Sequence, residues 1–167
     1  MTQRTGEELD LAFSHLDYEL DAFLKDAIYL ADGARSTEWG NEILEAFLVH
    51  ARVLAGFLGG MPQGERDIRP CDFGVEWSRP TSPEARSLKD DVDAISEHLA
   101  HLTWARVKVE DAKQWEFLGV TAKLLPIFIE FLEMLDEVHP LYARSLRARI
   151  DHYLAVAVSV PFSEGSG

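Results

Sequence analysis

Apolar residues recur at Leu9, Phe13, Leu16, Leu20, Phe23, Ala27 and Leu30, stepping alternately by four and three positions. That period traces one face of an α-helix, so the chain predicts a long amphipathic first helix. Thr5 stands as its N-cap, ahead of acidic residues that favour the positive end of a helix dipole, and Gly33 stands as its stop. The heptad spacing also suits a two-chain coiled coil, but a helix of this length packs more often as one member of a bundle.

A second helix is predicted from about Thr37 to Leu58. It is apolar nearly all round, which marks a central position in a bundle. At about 100° per residue, His50 falls in the middle of the face made by Ile43, Ala46, Phe47, Val53, Leu54 and Phe57. Glu45 and Arg52 share another stripe with Leu48 between them, placed to meet partners from one neighbouring element. Gly59 and Gly60 end the helix. Residues 59–82 then carry three Pro and four Gly without a sustained period and read as a long loop. A loop of that length in a compact domain tends to be a functional cover or a disordered linker. Ile68, Phe73, Val75 and Trp77 supply apolar anchors that would order it, with Trp77 tucked against the helices.

Ser82-Pro83-Glu84 is an N-cap followed by Pro at the first helical position, so a third helix starts there. Its core stripe is Leu88, Val92, Ile95, Leu99 and Leu102. Arg106 continues that stripe, His101 diverges from it beside Glu97, Trp104 and Ala105, and His98 lies between. A fourth helical region is predicted from about Ala112 to Asp136, broken or kinked by Pro126 near Leu124. Trp115, Leu118, Ala122, Leu125, Phe128, Phe131, Leu132 and Leu135 form its apolar face. Pro140 opens a fifth helix carrying Leu141, Leu146, Ile150, Tyr153 and Leu154, and residues 160–167 form a frayed tail. The pattern predicts an all-α bundle of about five helices forming a single domain over 1–167, with a long ordered loop between helices 2 and 3.

Composition narrows the picture. The chain has 167 residues, enough to bury about 70% of its unfolded surface in one core. Hydrophobic content of 47% with 27% charged residues is ordinary for a globular protein. A formal charge of −13 argues against sequence-independent binding to duplex nucleic acid, which rests on Lys and Arg displacing counterions. The basic residues Arg144, Arg147 and Arg149 form a local exception, set against an acidic first helix. Cys71 is the only cysteine, so no intrachain disulfide or thiolate cluster can form. The start of the chain lacks an apolar signal core and no stretch of about 18 apolar residues exists, so a cytoplasmic protein without a membrane partner is expected.

Polar groups inside core-like runs focus the search for chemistry, because a buried group without a partner costs about 1–3 kcal/mol. His98 and His101 share a helical face, and Glu45, His50 or Asp72 could complete a metal site. Neither a His-Glu-x-x-His string nor paired Glu-x-x-His motifs are present, so no metal and no cofactor is assigned. A Gly-x-Ser-x-Gly elbow and a phosphate-binding glycine loop are also absent.

The order of features goes further. The helix Leu48-Val-His50-Ala-Arg52-Val-Leu54-Ala-Gly-Phe57, the Asp72-Phe73 loop with Trp77, then Ala100-His101-Leu102-Thr103 and Arg106, resemble a family of uncharacterised bacterial all-α proteins over roughly residues 40–135. That family is similar to the HEPN superfamily (higher eukaryotes and prokaryotes nucleotide-binding). The resemblance implies a helical bundle that dimerises, and a ribonuclease chemistry used in toxin, phage-defence and RNA-processing systems. In that chemistry an Arg separated by four to six intervening residues from a following His stabilises the phosphate charge while the His moves the proton of a ribose 2′-OH. This chain departs from the pattern: ahead of His101 the Arg positions hold Ala94, Ile95 and Ser96, and Arg106 follows it. Arg147 and His152 have the formal spacing but fall outside the resembling stretch.

The reading that follows is a non-catalytic or regulatory helical interaction protein, a homodimer with a protein partner in a toxin–antitoxin or defence setting. One alternative is a metal-independent ribonuclease, with RNA as partner, using His101 with Arg106 or His50 with Arg52. Another is a small-molecule or metal-binding bundle with a pocket under the 59–82 loop. In structural terms His50 would hydrogen-bond the loop or the third helix, and Arg52 and Arg106 would pair with Glu45, Asp72 or loop carbonyls. Trp77, Trp104 and Trp115 would pack in the core.

Overall fold

The computed structural model describes residues 4–33, 38–59, 67–78, 83–96 and 116–159. Over them the chain forms five α-helices and no strand: α1 (Gly6–Ala31), α2 (Gly40–Phe57), α3 (Pro83–Ile95), α4 (Phe117–Val138) and α5 (Pro140–Ser159), with a short 3-10 turn at Pro70–Phe73. Both ends of α1 are set by local chemistry. Thr5 Oγ1 accepts from the Glu8 backbone N–H at 3.2 Å, and Glu8 Oε2 accepts in return from the Thr5 N–H at 2.8 Å, forming a capping box. Gly33 follows with φ 88° and Gly59 with φ 90° just past α2, the left-handed conformation that ends helices and suits glycine.

Contacting pairs give the helix directions. Glu19 meets His50 and Phe23 meets Phe47, so α1 and α2 run antiparallel. Phe47 meets Phe117 and Phe57 meets Phe131, so α2 and α4 run parallel. A single residue, His139, joins α4 to α5 and turns the chain back on itself, leaving α5 parallel to α1. α3 packs on α2 and α4, fastened by Lys123 Nζ to Asp91 Oδ2 at 2.7 Å. The predicted heptad of α1 is the buried one: Leu16, Leu20, Phe23, Ala27 and Leu30 are buried, and Leu9 and Phe13 pack against the core.

α2 is central, touching α1, α3 and α4. Phe47, Leu48, Ala51, Leu54 and Ala55 are fully buried, whereas Val53 turns to solvent, so the buried face is rotated toward Leu48 and Ala51 from the one expected. Within the described part of the loop, Phe73 and Val75 are buried as anchors. Trp77 tucks in as expected, edge-on to Phe131 with ring centroids 5.8 Å apart. Its indole Nε1–H donates to the Leu58 carbonyl at 3.1 Å, satisfying one of the acceptors that the C-terminus of α2 leaves over. Ile68, expected as a fourth anchor, is exposed. The stripe of α3 is buried at Leu88, Val92 and Ile95, while Leu99 and Leu102 lie outside the described residues.

Of the break or kink expected at Pro126 the break does not occur, and part of the expected apolar face of α4 lies elsewhere. The helix runs unbroken through Pro126, because that ring faces solvent where the helix can bend slightly and water can serve the freed carbonyl. Its buried face is Phe117, Val120, Leu124, Ile127, Phe128, Phe131, Leu132 and Leu135. Leu118 (54% exposed) and Ala122 therefore lie outside the face assigned to them, and Trp115 lies outside the described residues. The expected break at Pro126 hid the phase of the first half: carried back without interruption from Phe128, the helical period reaches Leu124, Val120 and Phe117. In α5 the core positions are Ala143, Leu146 and Ile150, with Leu141 and Leu154 exposed. Since a proline inside a helix costs up to about 3 kcal/mol relative to alanine, Pro126→Ala is expected to stabilise the protein by about 1–3 kcal/mol, read as a higher urea midpoint at unchanged slope.

Candidate functional site

His50 is the best-placed of the predicted site residues. Its side chain is 15% exposed, and Nδ1 lies 2.7 Å from Glu19 Oε2 on α1. The ring nitrogen donates and the carboxylate accepts, which fixes the tautomer with its proton on Nδ1. The Tyr18 ring meets the imidazole edge-on at 5.8 Å. Asp26, two turns after Glu19 on the same side of α1, is half-buried, and burial pushes its carboxyl above the ordinary range while His50 and Lys25 pull it down. The expected partner of His50 was the loop or the third helix. The partner is α1, because the rotated burial of α2 turns position 50 toward the acidic edge of that helix.

Arg52, two positions on, faces the other way. Its Nε donates to Ser96 Oγ at 2.8 Å, at the end of α3. The pairing expected with Glu45 or Asp72 does not occur: Glu45 is exposed, and Asp72 serves its own turn. Asp72 Oδ2 accepts from the Arg69 N–H at 2.8 Å, which caps the 3-10 turn, and Asp72 Oδ1 lies 3.7 Å from Arg4 Nε. An open groove of about 250 Å3 runs between this turn and the start of α1, lined by Arg4, Glu8, Leu9, Ala12, His15 and Asp72 among others. Trp77 is a packing residue. His98, His101 and Arg106 lie outside the described residues, as does Trp104. Among the described residues no group of three or more His, Cys, Asp or Glu could hold a metal ion. Cys71 is a free thiol.

A polar cluster forms around Arg149, one of the three arginines of the expected basic patch. Arg149 grips Asp17 with both ends of its fork, Nε to Oδ1 at 2.7 Å and Nη2 to Oδ2 at 2.6 Å, while Nη1 reaches Asp21 Oδ1 at 2.6 Å. Tyr153 O–H donates to the same Asp21 oxygen at 2.9 Å, and Tyr142 O–H donates to Asp10. The Asp17 carboxylate raises the Arg149 guanidinium further above its ordinary range. Burial first, then the Asp21 hydrogen bond, pushes the Tyr153 phenol up to about 12. A sequence signal was present: Asp17 and Asp21 are four apart, as are Arg149 and Tyr153, so two parallel helices can match them pair for pair.

Comparison of the chain with family models, with curated proteins and with solved structures finds no match.

Two measurements test the geometry of the site. A double-mutant cycle of His50→Ala and Glu19→Ala, read by urea unfolding, is expected to give a coupling of about 1 kcal/mol, between a charge-assisted hydrogen bond and a surface pair. A coupling near zero would show that the imidazole and carboxylate do not depend on each other. At alkaline pH, the unfolded chain ionises Tyr153 near pH 10 while the folded protein resists to about 12. Stability that is whole below pH 10 should fall as pH rises across that window, and Tyr153→Phe should make the fall shallower.

Proposed function

We propose that this chain is a non-catalytic helical interaction protein. The carrying observation is that His50 and Arg52 are directed to helices on opposite sides of α2, one held by Glu19 of α1 and the other by Ser96 of α3. A ribonuclease that moves a proton with His and stabilises phosphate charge with Arg needs the two groups within reach of one substrate. Here each is committed to a different neighbour. Asp72 is likewise drawn into the cap of its own turn. The charge of −13 adds a general repulsion of RNA phosphates.

The test is incubation of the purified full chain with total cellular RNA in the presence of a chelator. Intact RNA at micromolar protein, with His50→Ala and His101→Ala unchanged in that respect, is the expected result. Cleavage that disappears in His101→Ala while the circular dichroism spectrum is retained would overturn the proposal and establish the metal-independent ribonuclease.

A further inference from the structure

α1 carries a second stripe, on the side away from the core. Shifting its buried heptad by two positions, or about 200° around the helix, gives Leu11, His15, Tyr18, Ala22, Lys25 and Tyr29, with the same steps of four and three. Leu11 (59%), Tyr18 (60%) and Tyr29 (47%) are all exposed. Single exposed apolar residues are ordinary on a protein surface, but apolar residues repeating at helical spacing on a second face mark a face built to be covered. α2 repeats the arrangement: Ala46, Val49, Val53 and Gly56 step by three and four, and both valines are exposed. His50 joins the two stripes, since its ring meets Tyr18 of α1 and it shares a helix face with Val53. At one end, the groove of about 250 Å3 takes in Leu11 and His15 and adds the exposed Ile68. The patch is therefore continuous over about 27 Å from Leu11 to Tyr29.

The charge beside it is acidic. Asp26 stands on the edge of α1 that faces α2, where the antiparallel register brings Ile43 level with it. Next to that level, Glu42 and Glu45 are exposed and hold no ion pair among the described residues. Lys25 is placed over the Tyr29 ring, 5.7 Å from its centroid.

We propose that this α1–α2 face docks an amphipathic helix of a partner protein, its apolar stripe seated on Tyr18, Val49 and Val53 and its Lys or Arg residues set against Asp26, Glu42 and Glu45. The inference rests on the reading of the chain as an interaction protein. Charge selects the occupant. An anionic membrane or an RNA would bring phosphates to carboxylates, and a second copy would bring the same excess of carboxylates into one contact. A basic amphipathic helix supplies both the apolar cover and the missing cations. Helices docked in grooves present anchors at i, i+3, i+4 and i+7, the spacing that both stripes offer.

The test is fluorescence anisotropy of labelled synthetic helices of about 18 residues, matched to the length of the patch, against the full chain. One peptide has Leu at heptad positions a and d with Lys elsewhere, a second replaces Lys by Glu, and a third is the Leu/Lys peptide with its stripe scrambled. The Leu/Lys helix is expected to bind saturably, one to one, and at least about tenfold more tightly than either control. Val53→Asp, and Glu42→Lys with Glu45→Lys, change exposed positions and should each raise its Kd at least about tenfold with the circular dichroism spectrum retained. Glu130→Lys with Glu133→Lys removes the same charge from the exposed side of α4 and should leave Kd within about twofold. No binding, equal binding of the scrambled peptide, or equal weakening by the α4 reversal would overturn the proposal, the last two by reducing the effect to net charge. A wild-type dimer that Val53→Asp dissociates would also overturn it, by making a second copy the occupant. RNA intact but no peptide bound removes the docking face alone, whereas RNA cleaved by the chain removes the non-catalytic reading.

Discussion

α2 is hemmed in by α1, α3 and α4, and each polar group it carries must find its partner on one of those neighbours or at its exposed edge. That constraint organises the molecule. An unpartnered polar group in such a position costs about 1–3 kcal/mol, a large fraction of a domain's net stability of about 5–15 kcal/mol. His50 is matched by Glu19, Arg52 by Ser96, and the Leu58 carbonyl at the end of the helix by the Trp77 indole. Each partner comes from a different element, so placing α2 fixes α1, the close of α3 and the loop together.

Magnitudes separate what holds the helices together from what sets their alignment. Fully burying one large apolar side chain contributes about 1.5–3 kcal/mol, and Phe23, Phe47, Phe73, Phe128 and Phe131 are all fully buried. The Arg149 cluster is about one-third exposed, so its ion pairs contribute roughly 0–1 kcal/mol each despite their short distances. Cohesion is therefore the work of the phenylalanine core. The polar seam selects one register of α5 on α1, because sliding by a turn would strand Arg149 from Asp17 and Tyr153 from Asp21.

Helix type and approximate position were legible because they depend on period and punctuation: Thr5, Gly33, Gly59, Pro83 and Pro140 all act where the pattern put them. Partner identity was not. Whether His50 faces a loop, α3 or α1 turns on a rotation of α2 by a fraction of a turn, and Val53 shows that the apolar pattern left that rotation loosely specified. In α4 the proline points to a break or a kink; a break is not required at a solvent-facing position, and allowing for one conceals the phase that buries Phe117 and Val120. The Arg149 seam was written in matched four-residue spacings, but only knowledge that α1 and α5 are parallel neighbours makes that spacing readable.

The same seam changes the meaning of the net charge. An acidic first helix invites the idea of a cationic partner, yet Asp10, Asp17, Glu19 and Asp21 all serve partners within the chain. Those carboxylates are part of the bundle's own alignment rather than a free docking field. The exposed acidic groups of α2, Glu42 and Glu45, and the exposed arginines of α5 lie on elements where less internal demand is made on them. Charge left over after internal pairing is what a partner can read, and among the described residues it lies on the exposed acidic groups of α2 and α4 and the exposed arginines of α5.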